Sequence, residues 1–360
     1  MQVIPVRKAI NTLHLWLGFI SGIILLVVAV TGCMLAFEDE IRNLTEHELL
    51  YVEAQQKPTA SVQQVLTAVH QYSPGAVITQ VRYFGEADKA VQVYTKDKKI
   101  YAVDPYTGSV LGFRDQEKNF MFVVLSLHRT LLLGHVGEEI IFWNACVFLA
   151  ILLSGLFLWW PRRRKQLRQA LTIKKNASLK RRYFDLHSVA GFYVFIPMLF
   201  IVVTGIDMAA GSASAPKKRS KAIPGIAFAE SNYDSALHQS YKGEPVESIR
   251  VIMPKDSNDV IGISIRYETG SLRKQTAFIY DQYSVKPLSA DKWEIKSFRQ
   301  RFFGSDYEIH TGRILGLPGK LIMFLAALIT GSLPVTGFLI WNSKRKKKDT
   351  GWKKMISTGT

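Results

Sequence analysis

Four stretches of this chain run without a charge for longer than a soluble core requires: residues 15–37, 140–160, 188–206 and 321–341. Each has at least 19 residues, and a helix of about 20 crosses the roughly 30 Å hydrocarbon layer of a bilayer. The pattern predicts four transmembrane helices. Between them the periodicity changes. Val62, Val65, Leu66 and Val69 recur at helical spacing, and alternating strands follow near 77–81, 90–94 and 100–103. A turn, Asp104-Pro105-Tyr106-Thr107-Gly108, leads into Val110-Leu111. The second long connection has strand-like 248–252, 260–267 and 275–280, then Asp281-Gln282-Tyr283-Ser284, a turn lacking the Pro and the Gly. Two small α+β domains are expected, one in each connection.

Charge sets the orientation. Of the formal +17, ten Lys/Arg fall between Arg162 and Arg182 and seven follow Trp341, with Arg7 and Lys8 at the start. Outside those segments acids and bases nearly balance. Positive charge beside apolar spans marks the cytoplasmic side. The excess is therefore a topology signal and argues against nucleic acid as a partner. Both termini and the basic loop are expected in the cytoplasm, with the connections 38–137 and 207–320 on the opposite side.

The chain also matches itself. Leu13-His14-x-x-x-Gly18-Phe19 corresponds to Leu186-His187-x-x-x-Gly191-Phe192, and both reach Val-Thr-Gly after the same interval, at Val30 and Val203. His128 precedes Trp159 by 31 positions, and His310 precedes Trp341 by 31. Gly134 pairs with Gly316, Gly137 with Gly319 and Gly155 with Gly337. The expected fold is a mainly α membrane protein of two tandem parallel repeats. Its segments are 1–37 (first span), 38–127 (first outer domain), 128–160 (His segment and second span) and 161–186 (basic loop). They continue as 187–206 (third span), 207–309 (second outer domain), 310–341 (His segment and fourth span) and 342–360 (basic tail).

Leu13-His14, the Asp104–Gly108 turn, Leu127-His128-Arg129, Trp159-Trp160-Pro161-Arg162, Leu186-His187 and His310 follow one another in a characteristic order and spacing. In these features nearly the whole chain resembles the PepSY-associated transmembrane proteins, which include bacterial ferric-siderophore reductases. The resemblance implies PepSY-like periplasmic domains, a bacterial inner-membrane location, and haem-dependent electron transfer towards periplasmic ferric iron. Ferric siderophores or other ferric chelates would be the substrates.

The histidines can be weighed on their own. His47, His70 and His238 lack repeat partners and suit surface or cap roles. His14 and His187 are equivalent, as are His128 and His310, and ionisable residues at membrane helix ends are costly without a partner or a task. Imidazole is a standard axial ligand of haem iron. Pairing each histidine with its repeat mate makes two sites, one on each membrane side, for two non-covalent b-type haems. Gly18 and Gly22 fall on the same helix face as His14, and Gly191 lies one turn from His187. They would admit a flat macrocycle, although small residues also serve helix packing. Arg7, Arg182, Arg129 and Arg313 are candidate propionate partners, equally explained by topology. His135 is an alternative ligand to His128, but its counterpart is Leu317.

Other chemistries are less well served. No C-x-x-C-H occurs, and Cys33 and Cys146 lie inside apolar spans, which excludes c-type attachment and a disulfide framework. Structural zinc would need four clustered ligands. Val30-Thr31-Gly32-Cys33 looks like a lipoprotein processing site, but Val203-Thr204-Gly205 recurs without a cysteine and apolar residues continue past Cys33. No dinucleotide fingerprint is present, so a reductase needs a separate cytoplasmic or quinol electron donor. The competing readings are a haem electron-carrier subunit linked to quinol or a protein partner, a transporter built from paired repeats, and a regulatory membrane protein.

Reporter fusions test the topology. Fusions within 162–182 and after Trp341 are expected to report cytoplasm, and fusions near Ala87 and Asn258 periplasm. A cytoplasmic signal at either of the latter overturns the parallel-repeat arrangement.

Overall fold

The computed structural model describes residues 6–357 apart from 162, 175, 212–218, 221–227 and 269–271. Arg162 and Lys175 of the basic loop therefore lie outside the described residues. In chain order the elements are α1 (Val6–Ala36), α2 (Glu38–Thr45), α3 (His47–Leu50) and α4 (Val62–Tyr72), then β1 (Ile78–Phe84), β2 (Val91–Thr95), β3 (Lys99–Val103) and β4 (Val110–Asp115). Next come α5 (Phe120–Thr130), α6 (Gly134–Trp159), α7 (Leu167–Ala170), α8 (Leu179–Tyr193), α9 (Phe195–Ala210) and α10 (Ser231–Ser240). The chain ends with β5 (Val246–Ile252), β6 (Val260–Tyr267), β7 (Gln275–Asp281), β8 (Pro287–Asp291), α11 (Phe298–Phe303), α12 (Asp306–His310) and α13 (Gly316–Ser357). These divide into two units, a helical one and one built on a sheet.

In the helical unit, α1, α6 and the stretch Arg313–Ser343 are each long and apolar enough to cross a membrane. The third predicted span differs from expectation. It is made of α8 and α9, bent by 62° at Val194. Pro197 explains the bend: it offers no N–H to the carbonyl four residues back, at Tyr193, and its ring crowds that carbonyl. Counted as one bent span, it brings the total to four. The chain is a multi-pass membrane protein.

α1 packs against α6 and α13, α8 against α13, and α9 against α6 and α12. Small residues permit close approach, as membrane helix pairs require. A Cβ on Gly331 would stand 3.2 Å from that of Ala29, and one on Gly22 would stand 3.2 Å from Pro334. Phe148, Val194, Met198, Val202 and Ala326 form the buried centre of the unit.

The sheet unit corrects the expectation of two separate domains. The two connections supply four strands each to one antiparallel sheet, ordered β4-β3-β2-β1-β5-β6-β7-β8. β1 pairs with β5 in the register Val81↔Val251 and Arg82↔Arg250. Each four-stranded meander would otherwise present an open edge at β1 or β5, and the pairing removes both. Helices α4 and α10 cover one face, where Val62, Val65, Val69, Val81, Val93, Ile249, Val251, Ile261, Ile263 and Ile265 share a single core. The Asp234 carboxylate of α10 accepts from the backbone N–H groups of Val62 and Gln63 at 2.7 and 3.1 Å, capping α4 from the other segment.

The degraded second turn keeps its mechanism. Asp104 Oδ1 accepts from the N–H of Tyr106 at 2.7 Å, and Asp281 Oδ1 accepts from those of Tyr283 and Ser284 at 3.0 and 2.9 Å. Val285 carries φ +53° where the first turn has Gly108 at +69°. The aspartate, rather than the Pro or Gly, is the common element.

A shared core makes a shared stability. Ile263→Ala, in the second segment, is expected to cost about 2–5 kcal/mol and to raise hydrogen–deuterium exchange in β1–β3 as well as β5–β7. Exchange rising in β5–β8 alone would show two independent folding units instead.

Candidate functional site

The site begins with a turn. α5 stops at Thr130, Leu131 and Leu132 take φ of +51° and +61°, and Gly134 at +57° opens α6. α12 likewise stops at His310, and Gly312 at +78° and Gly316 at +63° lead into α13. A Cβ on Gly137 would overlap the carbonyl oxygen of Thr130, and one on Gly319 would overlap that of Gly312. These glycines allow a short histidine-bearing helix to fold back against the start of each span. His128 and His310 thus stand on separate short helices, not on the spans themselves.

The four repeat histidines meet in two pairs. The rings of His14 and His187 have centroids 6.3 Å apart at 89°, and those of His128 and His310 are 6.2 Å apart at 81°. A metal–imidazole bond of about 2 Å on each side, with the ring centre about 1 Å behind its nitrogen, separates two trans imidazoles by about 6 Å. His14 and Thr31, which holds His128, lie on the same helix 17 residues apart, or about 25 Å at 1.5 Å per residue.

Each ring is held by a hydroxyl on a facing helix. His14 Nδ1 lies 2.9 Å from Ser154 Oγ, and His187 Nδ1 lies 2.9 Å from Thr336 Oγ1 and 3.1 Å from the Leu333 carbonyl. His128 Nδ1 lies 3.1 Å from Thr31 Oγ1 and 3.0 Å from the Val28 carbonyl, and His310 Nδ1 is 3.1 Å from Thr204 Oγ1. All four hydroxyls already donate to carbonyls of their own helices: Ile151, Leu333, Val27 and Phe200 respectively. A hydroxyl has one proton to give, so each accepts from the histidine. Nδ1 therefore carries the hydrogen, and the Nε2 lone pair is left to bind an electrophile. Metal-ligating histidines are commonly oriented in this way.

Glycine follows each hydroxyl residue. A Cβ on Gly32 would lie 3.1 Å from His128 Cε1, on Gly205 3.2 Å from His310 Cε1, on Gly155 3.2 Å from His14 Cε1, and on Gly337 3.5 Å from His187 Cε1. The four dipeptides Thr31-Gly32, Ser154-Gly155, Thr204-Gly205 and Thr336-Gly337 are thus matched cradles. Sequence reasoning noted Val-Thr-Gly and the pairing of Gly155 with Gly337 without linking them to the histidines. The available signal was a hydroxyl–glycine dipeptide in every span, although Ser21-Gly22 and Thr330-Gly331 repeat it without holding a histidine.

A cavity of about 260 Å³ adjoins His14 and His187, with Gly18, Gly155, Gly191 and Gly337 in its wall. Gly18 and Gly191 face open space or light contact, as a slot for a flat group requires. Gly22 does not: Pro334 fills its face, so its role is helix packing. His135 points away from the paired rings, its side chain 85% exposed and 3.3 Å from Glu138. The chain does break at Gly134, but the break directs His135 outward. Arg7 donates to the Leu158 carbonyl at 2.6 Å, at the C-terminal end of α6, where a cation is favoured. Arg129 and Arg182 are exposed, and Arg313 lies over the Tyr307 ring at 5.1 Å. His47 stacks on Tyr51, and His70 and His238 are exposed.

Among the described residues no three His, Cys, Asp or Glu side chains gather as a metal cluster. Each pair offers two imidazole nitrogens. A family model described as the PepSY-associated TM region matches residues 12–344. The chain belongs to that family. The match takes in all four cradles and both histidine pairs of this PepSY-associated protein. No protein of curated function matches it significantly.

Glycines of the turn and of the slot are expected to respond differently. Gly137→Ala forces a Cβ into the Thr130 carbonyl and should lower the melting temperature in detergent clearly, by roughly the 2 kcal/mol or more typical of severe backbone clashes. Gly18→Ala adds a methyl to open space and should be near neutral in haem-free protein. Equal melting temperatures for the two variants would remove the turn's role in placing His128.

Proposed function

We propose that this protein is an inner-membrane dihaem b-type reductase that passes electrons to periplasmic ferric iron, with ferric siderophores as substrates. One observation carries the reading: two facing imidazole pairs, at a separation suited to a shared axial metal, with every Nδ1–H satisfied and every Nε2 open. Family membership supports it. A bound haem at each pair would supply a one-electron carrier within the apolar interior.

The residues divide the work. His14 and His187 would hold the haem nearer the cytoplasm, with Gly18, Gly155, Gly191 and Gly337 leaving room for its face. His128 and His310 would hold the other. Ser154, Thr336, Thr31 and Thr204 would hold the imidazoles in the Nδ1–H tautomer, which would leave Nε2 for iron and raise ligand basicity. The balance is simple. A quinol gives up two electrons and two protons on the donor side, and two ferric ions each gain one electron. A reduced cytoplasmic one-electron carrier would serve equally, one ferric ion at a time.

Purified protein from haem-sufficient cells is expected to show low-spin b-type bands at two haems per chain. His14→Ala or His187→Ala should remove one, His128→Ala or His310→Ala the other, and His135→Ala neither. Thr204→Val should broaden or weaken the second site while leaving the first intact. Dithionite-reduced protein should be reoxidised anaerobically by a ferric siderophore, with ferrous iron trapped by a chelator. A colourless preparation ends the haem reading. Reoxidation by quinone with every ferric chelate inert would leave a quinone-linked electron carrier.

A further inference from the structure

The face of the sheet away from α4 and α10 has an unusual composition. Across four strands the register places Gln92, Arg82, Arg250 and Ser264 side by side. Directly opposed residues of antiparallel strands have Cβ atoms about 5 Å apart, and like charges there are destabilising. Arg82 and Arg250 are such a pair, in the two central strands, and both are half-buried.

No carboxylate answers them among the described residues. Arg82 Nη2 donates to Ser248 Oγ at a long 3.4 Å, its guanidinium lies over the Phe84 ring, and its Nε is buried without a partner. Arg250 has no hydrogen-bond or ion-pair partner among the described residues, whereas Arg266 nearby is paired with Glu247 at 2.6 Å. Burial, then the positive charges of Arg82 and Arg273, pull the Arg250 pKa below its ordinary value. The neighbours are arranged to donate as well. Tyr94 gives its hydroxyl proton to Gln92 Oε1 at 2.8 Å, which leaves the Gln92 amide nitrogen free to donate. Ser264 Oγ accepts from Gln275 Nε2 at 2.9 Å and Ser248 Oγ accepts from Arg82, so both serine protons remain available. Buried guanidinium groups without counter-charges are costly, and this row has hydrogens to give and little to accept them.

We propose that Arg82 and Arg250, flanked by Gln92, Ser248 and Ser264, form a binding site for a carboxylate-rich anion, a ferric polycarboxylate chelate of the citrate type. Guanidinium forks match carboxylate geometry in bidentate fashion. That the anion is an iron chelate rests on the reductase reading above; the anion site itself does not.

The test uses full-length protein in nanodiscs and redox-inert gallium(III) citrate, so it needs neither haem nor electron transfer. In phosphatidylcholine discs gallium citrate should bind, more weakly as salt rises, and gallium desferrioxamine B, which has no net negative charge, should not compete. Arg250→Gln should weaken binding about tenfold or more, as loss of charged hydrogen bonds implies, while raising the melting temperature because a repulsion is relieved. Ser264→Ala, which disturbs folding least, should weaken binding by a smaller factor. Unchanged affinity in Arg250→Gln, or no binding by wild type, overturns the proposal. Binding displaced by phosphatidylglycerol discs, with that lipid alone stabilising wild type but not Arg250→Gln, would make a lipid headgroup the occupant and overturn it too. Colourless protein that still binds gallium citrate would end the haem reading and leave the anion site standing.

Discussion

An imidazole inside an apolar helix bundle must satisfy its N–H, because hydrocarbon offers nothing to accept it. Much of the helical unit follows from that requirement. Each of His14, His128, His187 and His310 finds a hydroxyl on a neighbouring helix, and that hydroxyl is already committed to its own backbone. The commitment settles which ring nitrogen carries the proton. The same contact sets how closely the helices approach, because a Cβ at Gly32, Gly155 or Gly205 would stand only 3.1–3.2 Å from the ring. Polar satisfaction, tautomer and helix spacing are one arrangement.

Proline and glycine then shape the frame around it. Pro197 bends the third span beyond Tyr193, and Pro334 within α13 seats against Gly22 of α1. Positive-φ glycines at 134 and 316 let His128 and His310 approach from short helices outside the spans. A continuous helix through either turn would have carried its histidine along the span axis instead. The bends and breaks thus bring together side chains that straight helices would hold apart.

The sheet unit solves a different problem. Two meanders close one another's open edges through β1 and β5, and the same pairing sets Arg82 against Arg250. A hydrophobic face shared by α4 and α10 supplies the stability that tolerates the repulsion. Capping of α4 by Asp234 ties the segments further. Stability is concentrated on one face of the sheet and unsatisfied charge on the other.

Much of this was legible in the chain itself. Uncharged runs of 19 residues or more can satisfy their backbone in a bilayer only as helices, and the internal match of His14 with His187 and His128 with His310 marks the pairs in the sequence itself. Strand periodicity at 248–252 and 260–267 was equally plain, because a half-buried strand alternates. What sequence could not decide were contacts between elements with no local signature. Edge pairing of β1 with β5 depends on backbone groups that every residue carries, so two domains and one sheet look alike from the chain. Gly22 and Gly18 have the same helical phase relative to His14, and only the neighbour, Pro334 or open space, distinguishes them. The hydroxyl–glycine cradles lie 97 to 149 residues from the histidines they hold. No periodicity spans that distance, and packing alone brings them together.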